Sequence, residues 1–290
     1  MADYIISTTS TSDLPQEYAK KNDVAVLPYS FIIEEKEFLD DFGTSMSART
    51  FYDRVRGGAL PSTSMVNQNT YRDFFVPLIE QGKDILFLEF SSGLSGSYQN
   101  AQSVIEELNA QYPNKIYFCD TLSASLGQGL LVDYAVKMRR AGKSIEEVHA
   151  WVEEHKRNII HWFTVDDLNH LRRGGRVSAV SAFLGTMLNI KPVLDVDDAG
   201  HLIPIEKVRG RKKALKALVK MMKADIENPD GQTVFISHGD SLEDAQYVEK
   251  KVRETFPSIT DIMIHTIGPV IGAHSGPGTV AVFYYGKKRY

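Results

Sequence analysis

A cluster of hydroxyl side chains at 91–97 is the first part of this sequence whose residue types and spacing could hold an anion. The cluster consists of serines and glycines around one leucine, and it follows a segment at 85–90 that is apolar except for Glu89. This order predicts a buried strand, a tight loop and the start of a helix. A helix start presents unpaired N–H groups and the positive end of the helix dipole, and both favour an anion. A turn that only caps its own helix would have the same composition, so both interpretations stay open.

Three known motifs can be compared with this cluster, and none of them fits. No Gly-Lys-Ser/Thr closes it, as a P-loop requires, and Gly93 and Gly96 lack the Gly-x-Gly-x-x-Gly spacing of a dinucleotide loop. Ser95 lies in Gly93-Leu94-Ser95-Gly96, which is one residue shorter than the Gly-x-Ser-x-Gly nucleophile elbow. Ser95 is therefore a candidate ligand for an anion, and no motif supports it as the nucleophile of a hydrolase.

A second hydroxyl cluster and one histidine complete the set of candidate polar groups. Thr63 lies in a Pro-Ser-Thr-Ser segment, which could cap a helix starting near Thr70 or donate to a ligand, and capping is the more common use of such residues. His274 is flanked by three glycines and a proline at 272–278, which predicts a tight loop around one titratable group. The other seven histidines show no paired spacing for a metal, so we predict no metal site.

Two basic segments each have a structural and a functional interpretation. Arg173-Gly174-Gly175-Arg176 joins a turn to an apolar helix that could be core or could line an apolar ligand. The run at 207–213 holds five positive residues in seven positions, and it could be a solvated helix start or a docking surface for an acidic partner or a phosphate group. The apolar helix is predicted from Val180, Phe183, Leu184, Met187 and Leu188. The side chains of the basic run that we expect to point to solvent are Arg209, Arg211, Lys212 and Lys213.

Composition narrows the classes of protein that could use these groups. The chain has 290 residues, 43% hydrophobic and 24% charged, which allows one large or two ordinary globular domains. Its net charge of -4 argues against a general binder of nucleic acid. One cysteine, Cys119, excludes an internal disulfide, and we see no secretory signal and no run of 18 apolar residues. We therefore expect a cytoplasmic protein without a membrane span.

The elements that must position these groups alternate along the chain, as is typical of an α/β protein. Amphipathic helices are predicted after Ser97, Ser144 and Ser241, the second of them with a capping box. The helical pattern ends near residue 157, so we predict domains at 1–157 and 158–290. A turn at 197–200 predicts a hairpin and hence an antiparallel part in the second domain. The predicted strands are 4–7, 24–27, 85–90, 116–118, 162–165, 193–196, 202–208, 234–237, 262–266 and 280–285.

The order of these segments resembles the DegV family of bacterial fatty-acid-binding proteins. The resemblance spans almost the whole chain, and no single segment decides it. The chain departs from the family pattern at Thr9, where an acidic residue is usual, and at Met65-Val66, where Gln-Pro is usual. The resemblance is carried by Thr11-Ser12-Asp13-Leu14-Pro15, Thr63-Ser64, the 91–96 segment, Arg173-Gly174-Gly175-Arg176, Ile190-Lys191-Pro192 and His274-Ser275-Gly276-Pro277-Gly278.

The resemblance implies two α/β domains, the first with a mainly parallel, Rossmann-like sheet and the second with a mixed sheet, and a ligand between them. It implies one long-chain fatty acid, such as palmitate, whose carboxylate is presented to a separate fatty-acid kinase. It places carboxylate contacts on Thr63 and Ser95, with His274 and Arg173 close to the head group. It implies no catalysis by this chain and no cofactor. We expect the basic run at 207–213 to act at the kinase and not in the acyl pocket.

Two other functions are compatible with the residues. A lipid esterase would use Ser95 with His274, although no acidic residue neighbours His274 in the sequence to orient it. A nucleic-acid-binding regulator would use residues 207–213, but the net charge and the lack of a recognition motif disfavour it. Retention of an intact acyl ligand would favour the carrier, and turnover of an acyl ester would favour the enzyme.

Overall fold

The computed structural model describes residues 3–177 and 189–289. The apolar helix predicted from Val180, Phe183, Leu184, Met187 and Leu188 therefore lies outside the described residues. Within them the strands are β1 (Ile5–Thr9), β2 (Val24–Leu27), β3 (Ser30–Ile33), β4 (Lys36–Leu39), β5 (Ser62–Thr63), β6 (Ile85–Glu89), β7 (Ile116–Asp120), β8 (Ile159–Thr164), β9 (Ile190–Val196), β10 (Leu202–Arg209), β11 (Thr233–His238), β12 (Asp261–Thr266) and β13 (Val280–Tyr285).

Helices connect most of these strands, as the alternating pattern predicts. The capping box of Ser144 and Glu147 is present, with both of its hydrogen bonds. No helix among the described residues is long and apolar enough to cross a membrane. The α-helices of the described residues are α1 (Gln16–Lys21), α2 (Ala48–Arg56), α3 (Gln68–Ile79), α4 (Ser97–Gln111), α5 (Leu126–Arg140), α6 (Ile145–His155), α7 (Asn169–Arg173), α8 (Arg211–Asp225), α9 (Leu242–Thr255) and α10 (Pro269–Ser275).

The first sheet is parallel and has the strand order β2-β1-β6-β7. Strand β6 is buried along its whole length, as its apolar residues at 85–88 predict, and the burial extends to Glu89 at its end. Because all four strands run the same way, the loops that follow β6 and β7 leave the sheet at one edge, where α/β proteins place their ligands. The predicted mainly parallel sheet is confirmed.

The second sheet is mixed and has the strand order β10-β9-β8-β13-β11-β12. Strands β11 and β12 run parallel, and the other neighbouring pairs are antiparallel. The predicted hairpin at 197–200 joins β9 to β10, with Gly200 at a positive φ of 83°. The predicted mixed sheet is therefore confirmed. Strand β8 begins at Ile159, earlier than the predicted start at Trp162.

A small third sheet of order β4-β3-β5 was not predicted from the sequence. Its β5 contains only Ser62 and Thr63, and Thr63 pairs with Phe31 of β3. Thr63 is therefore held by a strand and does not cap α3. That helix is capped by Asn67, whose side chain accepts a hydrogen bond from the backbone N–H of Thr70.

Helix α5 packs against both large sheets, and it too was not predicted. It contacts β1 and β6 of the first sheet as well as β8, β11 and β13 of the second. One hydrophobic core cluster accordingly includes residues from both halves of the chain, such as Leu86 and Phe283. The domain division at residue 157 stays a prediction, because this shared core neither sets nor excludes a boundary there.

The segment 272–278 is not the loop that its glycines predict. Residues Pro269–Ser275 form α10, so His274 lies in the last turn of a helix. Pro269 occupies the first helical turn, and Gly276 follows the helix at a positive φ of 77°. A proline at the start and a glycine just past the end are the usual boundaries of a helix, so the loop prediction overlooked a signal that the sequence contains.

The basic run at 207–213 is only partly a solvated surface. Arg209, Lys212 and Lys213 are exposed, as predicted. Arg211 is instead ion-paired with Asp244 at 2.7 Å, and its guanidinium lies 3.7 Å from a carboxylate oxygen of Asp166. The prediction that Arg211 points to solvent is therefore wrong. These two carboxylates hold the first residue of α8 against its neighbours.

Candidate functional site

A cavity lies where the loops after β6 and β7 face strands β8 and β13 of the second sheet. About 870 Å³ of space lies between its walls when the open solvent beside them is included. Apolar side chains such as Phe90, Phe163, Ile271 and Phe283 form much of its wall. A largely apolar cavity with a few polar groups at defined places is the usual form of a small-molecule site.

Thr63 and His274 meet at the mouth of this cavity. The Thr63 hydroxyl lies 2.7 Å from Nε2 of His274, although the two residues are 211 positions apart in sequence. Strand β5 presents the threonine, and the last turn of α10 presents the histidine. The structure thus brings two of the four predicted site residues into direct contact.

Ser95 lines the same cavity and belongs to the loop that leads into α4. Its hydroxyl donates to the Ser97 hydroxyl at 2.9 Å, and it accepts a hydrogen bond from the backbone N–H of Ser97 at 3.2 Å. The start of α4 thus lies beside the cavity. A negatively charged group placed there would lie near the positive end of the helix dipole.

Arg173 and Arg176 occupy different places at the mouth. Arg173 is exposed, donates to Nδ1 of His170 at 3.0 Å, and lines an outer recess together with Thr63 and His274. Arg176 lines both that recess and the main cavity. Arg173 is thus beside the predicted head-group residues but outside the cavity. Arg176 belongs to the same sequence motif, and it was not among the predicted site residues.

Burial determines the charge of His274. Burial lowers the pKa of its imidazole to about 4, and the nearby Arg176 guanidinium acts in the same direction. His274 is therefore neutral near pH 7, and one of its ring nitrogens donates while the other accepts a hydrogen bond. The positive charge at the mouth belongs to the arginines.

The hydroxyl and imidazole groups are not arranged as a serine hydrolase requires. Nε2 of His274 is bonded to Thr63, and the Ser95 hydroxyl is bonded to Ser97. Nδ1 of His274 has no hydrogen-bond partner among the described residues, so no carboxylate there orients the ring. A triad needs both the nucleophile–base and the base–carboxylate contacts. The described residues supply neither contact at His274.

Further polar residues line the cavity wall and were not predicted from the sequence. Ser125 and Ser237 are two of them, and their hydroxyls lie 3.0 Å apart. Ser125 precedes α5 with a positive φ of 54°, and its hydroxyl also donates to the buried carboxyl of Asp13. His161 of β8 is a further lining residue. Nothing in the local sequence separates these side chains from ordinary core positions.

The prediction that the chain has no metal site stays a prediction. Cys119, His149 and Glu153 each offer one possible ligand atom, and these atoms all lie within 4.8 Å of one another. Glu153 is also ion-paired with Lys156 at 2.7 Å. The group lies outside the residues that line the cavity.

The fold and the site define an α/β protein with a deep apolar cavity and a polar mouth built from hydroxyls, a neutral histidine and arginines. The family described as "Uncharacterised protein, DegV family" matches residues 4–287. The chain belongs to the DegV family. A DegV domain-containing protein of Clostridium perfringens is 45% identical over 290 residues, which cover 100% of this chain and 99% of that protein.

Solved structures share the whole fold. A DegV family protein from Thermus thermophilus, described by its fatty acid binding, has a TM-score of 0.89 and 30% identity, covering 98% of this chain and 99% of that one. A stearic acid-binding protein from Eubacterium ventriosum has a TM-score of 0.87 and 26% identity, with coverage of 98% and 99%. The similarity therefore spans both large sheets.

Proposed function

We propose that this protein binds one long-chain fatty acid, such as palmitate, and presents its carboxylate to a fatty-acid kinase without catalysing a reaction itself. The observation that carries the proposal is the cavity, which joins apolar walls to the Thr63–His274 pair at its mouth. The fatty acids described for the Thermus and Eubacterium proteins support the choice of ligand. We place this function in the cytoplasm.

The acyl chain supplies most of the binding free energy in this proposal. Each buried methylene contributes about 0.8 kcal/mol, so a chain of about fourteen contributes on the order of 11 kcal/mol before the costs of association. The polar mouth then needs only to orient the carboxylate. Hydroxyl donors suffice for that, and they leave carboxylate oxygens able to accept a phosphoryl group.

The carboxylate lies against Thr63 and Ser95 in this proposal, with His274 behind the threonine. In the tautomer that carries the proton on Nε2, the neutral His274 donates to the Thr63 hydroxyl, which is then free to donate to the ligand. The Ser95 hydroxyl turns from Ser97 to the ligand, and the dipole of α4 favours the negative charge. Arg176 faces the cavity, whereas Arg173 acts in the outer recess, where a phosphoryl group would approach.

The kinase docks on the exposed basic residues Arg209, Lys212 and Lys213. Exposed charges of this kind change the rate and orientation of encounter more than they change stability. Arg211 is not part of the docking surface, because it is ion-paired with Asp244. The rate of phosphorylation should fall with salt, since the attraction is screened over roughly 8–10 Å at physiological ionic strength.

One experiment tests ligand and partner together. Mass spectrometry of an organic extract of the purified protein should find a long-chain fatty acid, and ATP should convert it to an acyl phosphate only when the kinase is added. A triple Arg209→Ala, Lys212→Ala and Lys213→Ala variant should keep the lipid and be phosphorylated more slowly. Lys223→Ala, at the other end of α8, is the control.

Three results would contradict the proposal. An extract without acyl lipid, together with no binding of added palmitate, would show that the protein does not bind a long-chain fatty acid. Steady hydrolysis of a p-nitrophenyl acyl ester that is lost in Ser95→Ala would make the protein an esterase. Normal phosphorylation of the triple variant would show that the basic run is a solvated surface on which the kinase does not dock.

A further inference from the structure

Cys119, His149 and Glu153 form a cluster of possible metal ligands outside the cavity. Cys119 lies on β7, and His149 and Glu153 lie one turn apart on α6. One ligand atom of each residue lies within 4.8 Å of the other two. A tetrahedral zinc ion holds its ligands at about 2.0–2.3 Å, and hence roughly 3.5–4 Å from one another. Small movements of the two helix side chains therefore bring all three atoms within reach of one ion.

The cluster opens to the surface on the side of α6. Glu153 is exposed and His149 is half-buried, whereas Cys119 is buried beneath them. The Glu153 carboxylate is hydrogen-bonded to the Cys119 thiol, so the buried sulfur touches a group that solvent reaches. An ion that arrives at the carboxylate has only the thiol proton between itself and the sulfur. Metal binding to cysteine displaces this proton.

The ring of His149 is already oriented toward β7. Its Nε2 lies 3.2 Å from the backbone carbonyl oxygen of Phe118, the residue before Cys119. Tyr117 packs against the same ring at a steep angle, with ring centroids 5.6 Å apart. Metal sites commonly fix a ligating imidazole by contacts of this kind to the surrounding protein. His149 therefore needs little rearrangement to contribute a nitrogen ligand.

Lys156 competes with a metal ion for this cluster. Its Nζ lies 2.7 Å from a carboxylate oxygen of Glu153, and its charge also acts on the Cys119 thiol. Burial raises the pKa of this thiol well above its ordinary value, and the Glu153 charge acts in the same direction, so the thiol is protonated near pH 7. The lysine and the thiol proton together supply the positive charge that a divalent ion would replace.

We propose that Cys119, His149 and Glu153 bind one zinc ion, with a water molecule as the fourth ligand. Sulfur, imidazole nitrogen and carboxylate oxygen are ligands of Zn²⁺, whereas Mg²⁺ and Ca²⁺ take oxygen ligands. When the ion binds, the S–H bond of Cys119 breaks, a Zn–S bond forms, and the proton leaves to solvent. Lys156 turns away from Glu153 at the same time. The expectation of no metal site came from the spacing of the histidines, which does not detect ligands from two separate elements.

The ion links α6 to the end of β7. The residue after Cys119 is Asp120, whose carboxylate accepts hydrogen bonds from the backbone N–H groups of Ser92 and Leu122. These contacts hold together the loops that follow β6 and β7. Zinc should therefore raise the melting temperature, because it binds the folded arrangement of the ligands.

The first test is a titration of the reduced, chelator-treated protein with ZnCl₂, which should give one ion per chain. Cys119→Ser and His149→Ala should each weaken binding at least about tenfold, since even changes beside metal ligands cost that much. Lys156→Ala should instead tighten it about two- to fivefold, because the competing charge is gone. Lys251→Ala, which removes the corresponding ion pair with Glu254 on α9, is the control and should bind zinc like the unchanged protein.

Cobalt(II) tests the sulfur ligand directly. The Co²⁺-loaded protein should show the thiolate-to-cobalt absorption of the near ultraviolet and the visible bands of a tetrahedral ion, and Cys119→Ser should lose the first of these. Circular dichroism checks the folding of this variant, because Cys119 is buried. His149→Ala keeps the test decisive if Cys119→Ser does not fold, since His149 lies nearer the surface.

Three results would overturn the proposal. One is the absence of zinc binding at micromolar protein, and another is binding that both ligand variants leave unchanged, which is the behaviour of an adventitious ion only. The third is cobalt binding without the thiolate band, which would exclude Cys119 as a ligand. Equal zinc affinities of Lys156→Ala and Lys251→Ala would likewise place the ion away from Glu153. None of these results bears on fatty-acid binding, because the cluster lies outside the residues that line the cavity.

Discussion

At the scale of single residues, the Thr63 hydroxyl is the group that we propose to link His274 to a ligand at the mouth. Thr63→Val keeps the shape of the side chain and removes the hydroxyl that lies 2.7 Å from Nε2. A hydrogen bond to a charged group contributes about 1.5–3 kcal/mol, so we expect palmitate to bind at least about tenfold more weakly. Isothermal titration of the delipidated protein measures the change.

The matched control for this change is Thr255→Val. Thr255 is exposed at the end of α9, and its hydroxyl donates to the backbone carbonyl of Lys251. The control variant should bind palmitate like the unchanged protein. Equal affinities for the two valine variants would show that Thr63 does not contact the carboxylate.

The buried His274 gives a second prediction, which concerns stability against pH. Its pKa is about 4 in the folded protein against an ordinary 6.5, so between these pH values the unfolded chain binds a proton that the folded chain does not. The free energy of unfolding therefore falls as pH is lowered through this window. His274→Asn removes this contribution.

Urea unfolding at pH 7, 6 and 5 measures the effect as the difference between the unchanged protein and His274→Asn. The advantage of the unchanged protein should shrink as the pH falls. Other groups with shifted pKa values, such as Glu89 at about 7, are present in both proteins and cancel in this difference. Parallel pH profiles would mean that His274 has an ordinary pKa in the folded state.

At the scale of elements, the loop between β6 and α4 depends on close contact with the β9–β10 hairpin. A Cβ at Gly93 would lie 2.6 Å from the backbone carbonyl oxygen of Ala199. The added Cβ meets backbone atoms, so the loop or the hairpin must move, and such a movement destabilises the protein. Gly93→Ala should therefore lower the melting temperature and displace Ser95 from its place in the cavity wall. Palmitate affinity should fall with it.

Gly57→Ala is the control for this substitution. Gly57 follows α2 with a helical φ of -71°, is exposed, and its added Cβ would be no closer than 3.2 Å to a neighbour. Thermal unfolding of both variants measures the melting temperature, and palmitate titration measures the affinity. A Gly93→Ala protein that melts and binds like Gly57→Ala would mean that the hairpin moves aside freely.

The elements that sequence patterns predicted are those with a simple burial pattern. The four consecutive apolar residues at the start of β6 and the capping box before α6 give clear local signals. Helix α5 gives none, because it is buried on most sides and its two glycines, at 127 and 129, resemble chain breaks. The same limit applies to the site. Thr63, Ser95 and His274 stood out by composition, whereas His161 looks like any other residue of a buried strand.

At the scale of the whole molecule, the cavity couples ligand binding to stability. A ligand that binds only the folded protein stabilises it by about 2.7 kcal/mol at a concentration of one hundred times its dissociation constant. For a chain of this size we expect palmitate to raise the melting temperature by roughly 5 °C. Differential scanning calorimetry of delipidated and reloaded protein measures the shift.

Palmitic acid methyl ester is the control ligand, since it has the same chain and no carboxylate. Its shift should be smaller, because the polar mouth contributes little to its binding. Equal shifts for acid and ester would contradict a head-group role for Thr63 and Ser95. No shift with either would contradict binding in the cavity.

Strand β13 has a consequence for the protein while it is being synthesised. It lies between β8 and β11 in the second sheet, and it carries Ala281 and Phe283 of the cavity wall. The ribosome synthesises β8 about 120 residues before β13, so the edges of β8 and β11 that pair with β13 have no partner strand until β13 emerges. We therefore expect the cavity to enclose a ligand only after β13 has been translated.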